Sequence, residues 1–550
     1  MAPGGGRPGP ERSARAGGGL SLGLARAGYG LAAALALAGL AFVWGFEPAY
    51  LALTYDDSFY YLQIARNVAR GLGPSFDGVE PTNGFHPLWL ALFAALARAA
   101  PSADAAGLMR AALTAQLGLV ALGTVALARA GLARPGAVAL AAALVFAHSD
   151  ALKIAVNGQE SALLYAALAA LVAFGSGERA WSSAPRAALA GLLMGLALLA
   201  RTDALLAFAA WAALALAWRG AGVPAAERAR RVALASALAL APLGLYALFN
   251  AARFGHAAQI SAAIKYEGLF YPPYARRWAP PLLAAAALAL FARALRRRAA
   301  GDGARAEAYR ALFVLVAYAT SQWALTWGAR GVLAPDPWYL VPALEALVVA
   351  LSLALDRPGG PGRASAPLAA LSLALALAGW ARRLDPGAYA LGDAYRRAAA
   401  WLRASPFGAE RAAGWDCGLV GAHFDGRLSN LDGLAASWRY KERYLEPGRV
   451  GAFLDEAGVT SIVQHFARDD LDPPGSFVGV DLGAFRVAHA ECVTLRLATR
   501  PWQRTHRFVA VLSRHARAEG PRFDDAARAW RALEGCPLPR EGAPAQANPP

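Results

Sequence analysis

The sequence predicts an α-helical polytopic membrane protein of about eleven spans, followed by a small extracytoplasmic α/β domain. Three observations carry that prediction. Hydrophobic residues make up 57% of the 550 and charged residues only 17%, and the charges avoid long Ala/Leu-rich stretches. Uncharged runs of about 15–25 residues recur from Leu20 to about Trp380, the length a helix needs to cross a bilayer. From about Arg382 charged residues, Gly, Asp and Trp rise and the segments shorten.

Residues 1–19 are Gly/Pro/Arg-rich without periodicity and are expected to be a disordered cytoplasmic tail. Leu20 to Phe46 is too long for a signal-peptide core and lacks a cleavage site, so it is assigned as the first span, N-terminus inside. Further spans are expected near 107–128, 136–150, 160–175, 186–200, 203–218, 231–249, 279–294, 309–328, 337–355 and 366–381. Arg-rich connections at 129–134, 179–186, 219–231, 293–310 and 357–363 read as cytoplasmic; Asn157–Glu160, Arg201–Asp203, Asn250–Trp278 and Ala329–Trp338 then lie outside. Residues 20–381 form the membrane domain with an outer loop at 47–86, 382–538 the outer domain, and 539–550 a second disordered tail. Pro87–Ala100 conflicts with this parity. It is apolar but about 14 residues long, short for a crossing, and fits only if it dips in and returns.

The net charge of +16 raises the question of nucleic acid. The arginines sit in short gaps between apolar runs, as in a bacterial inner-membrane protein, and no basic helix or aromatic-basic sheet motif is present. Membrane lipids are the expected surroundings and nucleic acid is excluded as a partner.

In the outer domain Gly418–Val420, Leu428–Leu431 and Thr460–Gln464 read as strands, Tyr440–Tyr444 and Arg449–Ala457 as short helices. Phe424–Arg427 is expected to turn a hairpin between the first two strands. Cys417, Cys492 and Cys536 show no metal-binding spacing; they leave room for one disulfide and one thiol, or for three free thiols.

The outer loop, YDDSFYYLQIARNVARGLGPSFDGVEPTNGFHPLW from Tyr55 to Trp89, is where chemistry is expected. Asp56 and Asp57 stand where the first span emerges. Adjacent helical residues point about 100° apart, so the two cannot act as one clamp on a regular helix. Against Tyr55, Phe59, Tyr60 and Tyr61 a carboxylate there would be partly desolvated and a better base; otherwise the pair only marks the water interface. The helix that follows has an apolar side, Phe59, Leu62, Ile64, Ala65 and Val68, suited to lying in the interface plane or packing on the bundle. Gly71-Leu72-Gly73-Pro74 ends it.

Arg201 and Asp203 interrupt an apolar run, and ionisable groups at that depth mark a site or a structural pair. Arg201 could fork onto a phosphate. Lys265 is a second phosphate ligand or an ordinary loop lysine. Glu160 is an acceptor-side carboxylate or a helix cap. His86, before Pro87 at a helix start, is structural or bonds a phosphate. Trp338 and Tyr339 read first as interfacial anchors, with Tyr339 kept as a further candidate site residue beside Glu160 and Asp203. No Walker loop, Rossmann glycines or nucleophile elbow is present.

Several pieces, in order, resemble the bacterial GT-C glycosyltransferases, the polytopic class that includes protein O-mannosyltransferases, aminoarabinose transferases and arabinofuranosyltransferases. They are DDSFYYLQIARN, TNGFHPLW, NGQESALLYA, GLLMGLALLARTDALL, FGHAAQISAAIK, WYLVP and GWDCGLVGAHFDGRLSNLDGL. The resemblance implies a GT-C-like helical bundle and transfer of a sugar from a polyprenyl-phosphate donor to an acceptor outside the membrane, usually with inversion. Asp56 or Asp57 would be the general base, and Arg201 and Lys265 would neutralise the departing lipid phosphate. The acceptor class covers envelope glycan, lipid or protein. Some members need a divalent metal at the acidic pair and others do not, so a metal at Asp56 and Asp57 is left open. Gln159 stands where the class usually has Met or Leu, which weakens the inference for Glu160. A lipid-linked sugar flippase would show internal repeats, and none is found; a non-catalytic envelope scaffold would tolerate neutral residues at 56 and 57.

Overall fold

The computed structural model describes residues 10–175, 178–217, 223–266, 279–302, 305–330, 336–356, 365–406, 411–467, 476–477, 479–496, 504–515 and 517–532. The expected tail at 539–550, residues 1–9 and Cys536 lie outside them. Helix α1 (Pro10–Gly45) begins inside the stretch expected to be disordered, so residues 10–19 are helical. A short α2 (Ala49–Leu53) leads into the outer-loop helix α3 (Asp56–Ala69), which ends before Gly71 and Gly73, both at positive φ.

The bundle follows as α4 (Pro87–Ala99), α5 (Ala105–Arg129), α6 (Pro135–Phe146), α7 (Ser149–Ala155), α8 (Ser161–Phe174), α9 (Ala184–Ala200), α10 (Leu205–Ala217), α11 (Ala225–Phe254), α12 (Ile260–Tyr266), α13 (Ala279–Gly301), α14 (Ala306–Arg330), α15 (Val341–Leu355) and α16 (Ser365–Leu384). Every expected span thus has a helix. Among the described residues, four helical segments are long and apolar enough to cross a membrane, at Gly28–Gly45, Ala105–Arg129, Ala225–Phe254 and Pro337–Leu355. A fifth is the α6–α7 pair, which is bent by 100° where a straight span was expected. At Gly191 on α9 a Cβ would collide with the backbone of Ala235 on α11, so the close approach of these two helices depends on the missing side chain.

Pro87–Ala99 is a short helix, as the length of the apolar run predicts. Helix α4 has 13 residues, about 20 Å at 1.5 Å per residue and short of a hydrocarbon core of about 30 Å. It buries Trp89, Leu90, Phe93 and Ala97 within the protein. Of the two readings of α3, packing on the bundle is the one the structure shows. Its apolar side packs on α4, and its other side is covered by the C-terminal domain, so Phe59, Tyr60, Tyr61, Leu62 and Ile64 are all buried.

After α16 come the amphipathic α17 (Ala390–Ala404), strand β1 (Arg411–Gly414), α18 (Gly418–His423) and β2 (Leu428–Asn430). Then follow α19 (Trp438–Tyr440), a π-helical turn at Lys441–Leu445, α20 (Val450–Glu456), β3 (Val459–Ala467), β4 (Ser476–Phe477), β5 (Val480–Asp481), β6 (Arg486–Arg496), β7 (Arg504–Ser513) and α21 (Phe523–Ala532). The main sheet has the order β2-β1-β3-β7-β6. Two strand expectations need correction. Gly418–Val420 is helical, and β1 and β2 pair in parallel across α18, so Phe424–Arg427 ends a crossover rather than turning a hairpin. Cys492 is disulfide-bonded and Cys417 is a buried free thiol.

Candidate active site

Asp56 and Asp57 open α3 and, being neighbours on a helix, diverge. Asp56 turns to the outer domain. Its Oδ2 and Oδ1 accept from the backbone N–H groups of Gly418 and Leu419, each at 2.8 Å, where α18 begins. A Cβ at Gly418 would collide with the Asp56 carbonyl oxygen. Burial, with Asp416 adding, pushes the Asp56 carboxyl up to about 7 against the pull of the two N–H donors.

Asp57 turns the other way, into a cleft of about 680 Å³. Lys265 Nζ lies 3.5 Å from its Oδ2 and 5.6 Å from the Trp338 ring centre. Burial raises the Asp57 carboxyl above its ordinary range, while Lys265 pulls it back and Asp336 and Asp416 push it further. A raised carboxylate accepts a proton more readily, which is what a general base requires.

Across the cleft stands a buried ionic group around Arg201. Its Nε and Nη2 donate to the two oxygens of Asp203 at 3.0 and 2.9 Å, and Nη1 donates to Glu160 Oε1 at 2.5 Å. Tyr318 donates to Asp203 at 2.9 Å, and the Tyr339 ring lies 4.7 Å from the guanidinium. Three of the five N–H groups of Arg201 are therefore engaged by carboxylates. Glu160 heads α8 without capping it; its carboxylate instead takes Arg201 and the Tyr61 hydroxyl, the latter at 2.9 Å. Tyr339 is buried beneath Arg201 and is not an interfacial anchor.

His86 Nε2 lies 3.7 Å from Glu160 Oε1, and Gln259 Nε2 approaches its Nδ1 at 3.4 Å. Burial lowers the imidazole pKa against the pull of Glu160, so His86 offers hydrogen bonding rather than charge. One cleft thus gathers Asp57, His86, Glu160, Arg201, Asp203, Lys265 and Tyr339; of the site residues expected from sequence, only Asp56 is left outside its lining.

Residues not singled out as site residues complete the wall. Tyr60 donates to Asp432 Oδ2 at 2.8 Å and accepts from Asn430 Nδ2 at 3.0 Å, so the outer domain is tied to α3 one turn after Asp57. Burial, with Asp416 adding, holds Asp432 well above the usual carboxylate range. Gln259 donates to the Phe85 carbonyl at 2.6 Å and accepts from Thr202 at 3.1 Å. The tyrosines and Gln259 lay inside quoted motifs; Tyr318 had no sequence signal. At Gly84 a Cβ would collide with the Leu434 carbonyl, so the outer-domain turn rests directly on the loop.

For a divalent metal at the acidic pair the donors do not fit. Both Asp56 oxygens are occupied by amide N–H groups, the Asp57 carboxylate faces an ammonium, and among the described residues no three His, Cys, Asp or Glu side chains converge as a ligand set.

No protein-family model matches the chain, and no curated protein matches it in sequence. Solved structures do. ArnT from Cupriavidus metallidurans bound to undecaprenyl phosphate superposes with a TM-score of 0.54 at 14% identity, covering 90% of this chain and 100% of that one. Its apo state gives 0.52 at 14%, covering 90% and 98%. The archaeal oligosaccharyltransferase AglB from Archaeoglobus fulgidus, in complex with an inhibitory peptide and a dolichol-phosphate, gives 0.42 at 12%, covering 80% and 69%. With four to five membrane-length helical segments and a sheet domain seated over the cleft, the chain has a fold similar to that of ArnT.

Proposed function

We propose that the protein is a GT-C-type membrane glycosyltransferase that moves a sugar from a polyprenyl-phosphate donor to a cell-envelope acceptor. The observation that carries the reading is the cleft, where a raised carboxylate, Asp57, faces Lys265 and the buried Arg201 group. The fold shared with ArnT, crystallised with undecaprenyl phosphate, supports the donor class.

The chemistry follows from the charges. An acceptor hydroxyl attacks the anomeric carbon of the donor; its proton passes to Asp57 as the bond to the phosphate oxygen breaks. Negative charge then grows on the lipid phosphate. The Lys265 ammonium and the Arg201 guanidinium are suited to receive it, with His86 adding a neutral hydrogen bond. A single displacement of this kind inverts the anomeric centre. Tyr339, Asp203 and Glu160 fix the guanidinium so that it need not reorganise as charge develops.

The topology proposed with this is about eleven crossings in the bacterial inner membrane, N-terminus cytoplasmic, residues 20–381 in the membrane and 382–538 outside. The Cys492 disulfide supports an oxidising location for the outer domain. The test is sugar transfer in detergent or membranes with a panel of labelled polyprenyl-phosphate sugars and crude envelope acceptors, wild type against Asp57→Asn. Transfer abolished in the variant at equal expression and equal donor-lipid binding supports the reading. A donor that wild type transfers and Asp57→Asn transfers equally well removes Asp57 as base. Donor movement across vesicles without transfer indicates a flippase.

A further inference from the structure

On the far side of the turn that closes the cleft is a second, larger groove of about 1000 Å³. Leu434 lines the catalytic cleft, while Ala435, Ala436 and Ser437 line this groove, so one short segment of backbone separates the two. The partition continues through aromatic side chains. Tyr60 lines the cleft and Phe76 the groove, their ring centres 5.3 Å apart.

The floor is aromatic. Tyr440 and Tyr444 are buried, with Phe453 between them at ring distances of 4.7 and 5.3 Å. The rim is ionic but balanced. Arg427 pairs with Asp77 at 3.1 Å, Arg439 with Glu80 at 3.8 Å, and Glu456 accepts from Tyr444 at 2.6 Å and Arg443 at 2.9 Å. The lining carries three acidic side chains, Asp77, Glu80 and Glu456, against three basic ones, Arg411, Arg427 and Arg439, so the groove has no net charge to select an anion or a cation. It offers instead many hydrogen-bonding groups over apolar ring surface, the pattern that suits a neutral polyhydroxylated ligand. A peptide adding to the sheet would have to use β2, the edge strand here, whose three residues give a very short ladder.

We infer that this groove, formed by the outer loop at 76–80 and the outer domain at 427–457, is a saccharide subsite that holds a neutral oligosaccharide arm of the acceptor beside the catalytic cleft. The inference rests on the transferase reading for its role, and on the groove alone for its ligand. A sugar chain laid along the aromatic floor crosses Leu434 to reach Asp57, so acceptors longer than a single residue gain affinity from outside the cleft.

The test is saturation-transfer NMR on the full chain in detergent. The probes are linear neutral hexose oligosaccharides of increasing length, uronic-acid oligosaccharides, and uncharged peptides of matching length. The expected result is binding of the neutral ladder, increasing with length, and weakened at least tenfold by Ala436→Trp, which fills the groove. Arg439→Glu, an exposed rim change that reverses a charge, is expected to weaken it about threefold. Undecaprenyl phosphate binding at wild-type affinity verifies that each variant is folded. Absence of neutral-oligosaccharide binding to wild type, binding unchanged in Ala436→Trp, or groove-dependent binding of peptides or uronic acids alone overturns the inference. Neutral-ladder binding blocked by Ala436→Trp in a protein that transfers no sugar from any donor overturns the acceptor role and the transferase reading together, and leaves a saccharide-binding groove.

Discussion

Neutralising Asp57 and truncating Asp56 are expected to damage different properties, although the two residues are adjacent. In Asp56→Ala the N–H groups of Gly418 and Leu419 both lose an acceptor at 2.8 Å. At about 1–1.5 kcal/mol net for each such bond, the outer domain loses about 2–3 kcal/mol of docking. For a domain of this size that corresponds to roughly 5–10 °C in its unfolding midpoint. In Asp57→Asn the backbone bonds to Gly418 and Leu419 stay and only the partly exposed Lys265 ion pair is lost; the group that takes the proton goes with it, and transfer is expected to fall about 10²–10⁴-fold. The assay pairs initial rates of sugar transfer at low temperature with thermal unfolding followed by outer-domain proteolysis. Asp56→Ala should be thermolabile yet transfer within a few-fold of wild type in the cold, and Asp57→Asn should be stable and inactive. A variant of Asp56 that is as inactive as Asp57→Asn with an unshifted midpoint would refute this division.

Other expectations follow from the same geometry. Lys265→Met removes the positive neighbour that favours ionised Asp57, so the acid limb of kcat/KM against pH should move to higher pH while the maximal rate falls; a limb that stays in place or moves down contradicts the pair. Arg201→Met strands two carboxylates, one of them fully buried, and should cost about 3–5 kcal/mol in thermal unfolding, with Glu160→Gln in the same chain restoring about 1–2 of it. Additive losses in that double variant would show that the three residues do not act as a unit. Gly84→Ala drives a Cβ into the Leu434 carbonyl and should lower transfer at least tenfold and destabilise the outer domain by about 1–3 kcal/mol, read by the same proteolysis.

The bundle was legible because apolar runs and arginine gaps repeat on a scale set by the bilayer, and a helix stands at each run. What periodicity could not give was the bend at His148, whereas the shortness of α4 was already plain from its length. The cleft was legible where a charged residue interrupts apolar sequence: Arg201, Asp203 and Glu160 converge as ionisable groups at that depth must. The sequence placed Asp56 and Asp57 side by side but could not say which faced the cleft, because the deciding contact lies with Gly418 and Leu419. Tyr339 read as an anchor because a Trp-Tyr pair at a span's start usually is one; here its ring is taken by Arg201. Gly418–Val420 read as a strand because a short apolar run has no period of its own, and it became a helix because its first N–H groups meet a carboxylate.

That carboxylate has a consequence for how the protein is made. The acceptor on Asp56 and the donor on Gly418 are 362 residues apart in the chain. At about 5–20 residues per second, the loop carrying Asp56 is made tens of seconds before Gly418 is synthesised. During that interval the loop carrying Asp57 has neither its Tyr60 tether nor its floor at Leu434, and the nascent protein should be unable to consume donor lipid. Ribosome-arrested or truncated chains ending near residue 400 are expected to insert, to resist extraction and to transfer nothing. Supplying the missing domain as a separate polypeptide should switch the same membranes on.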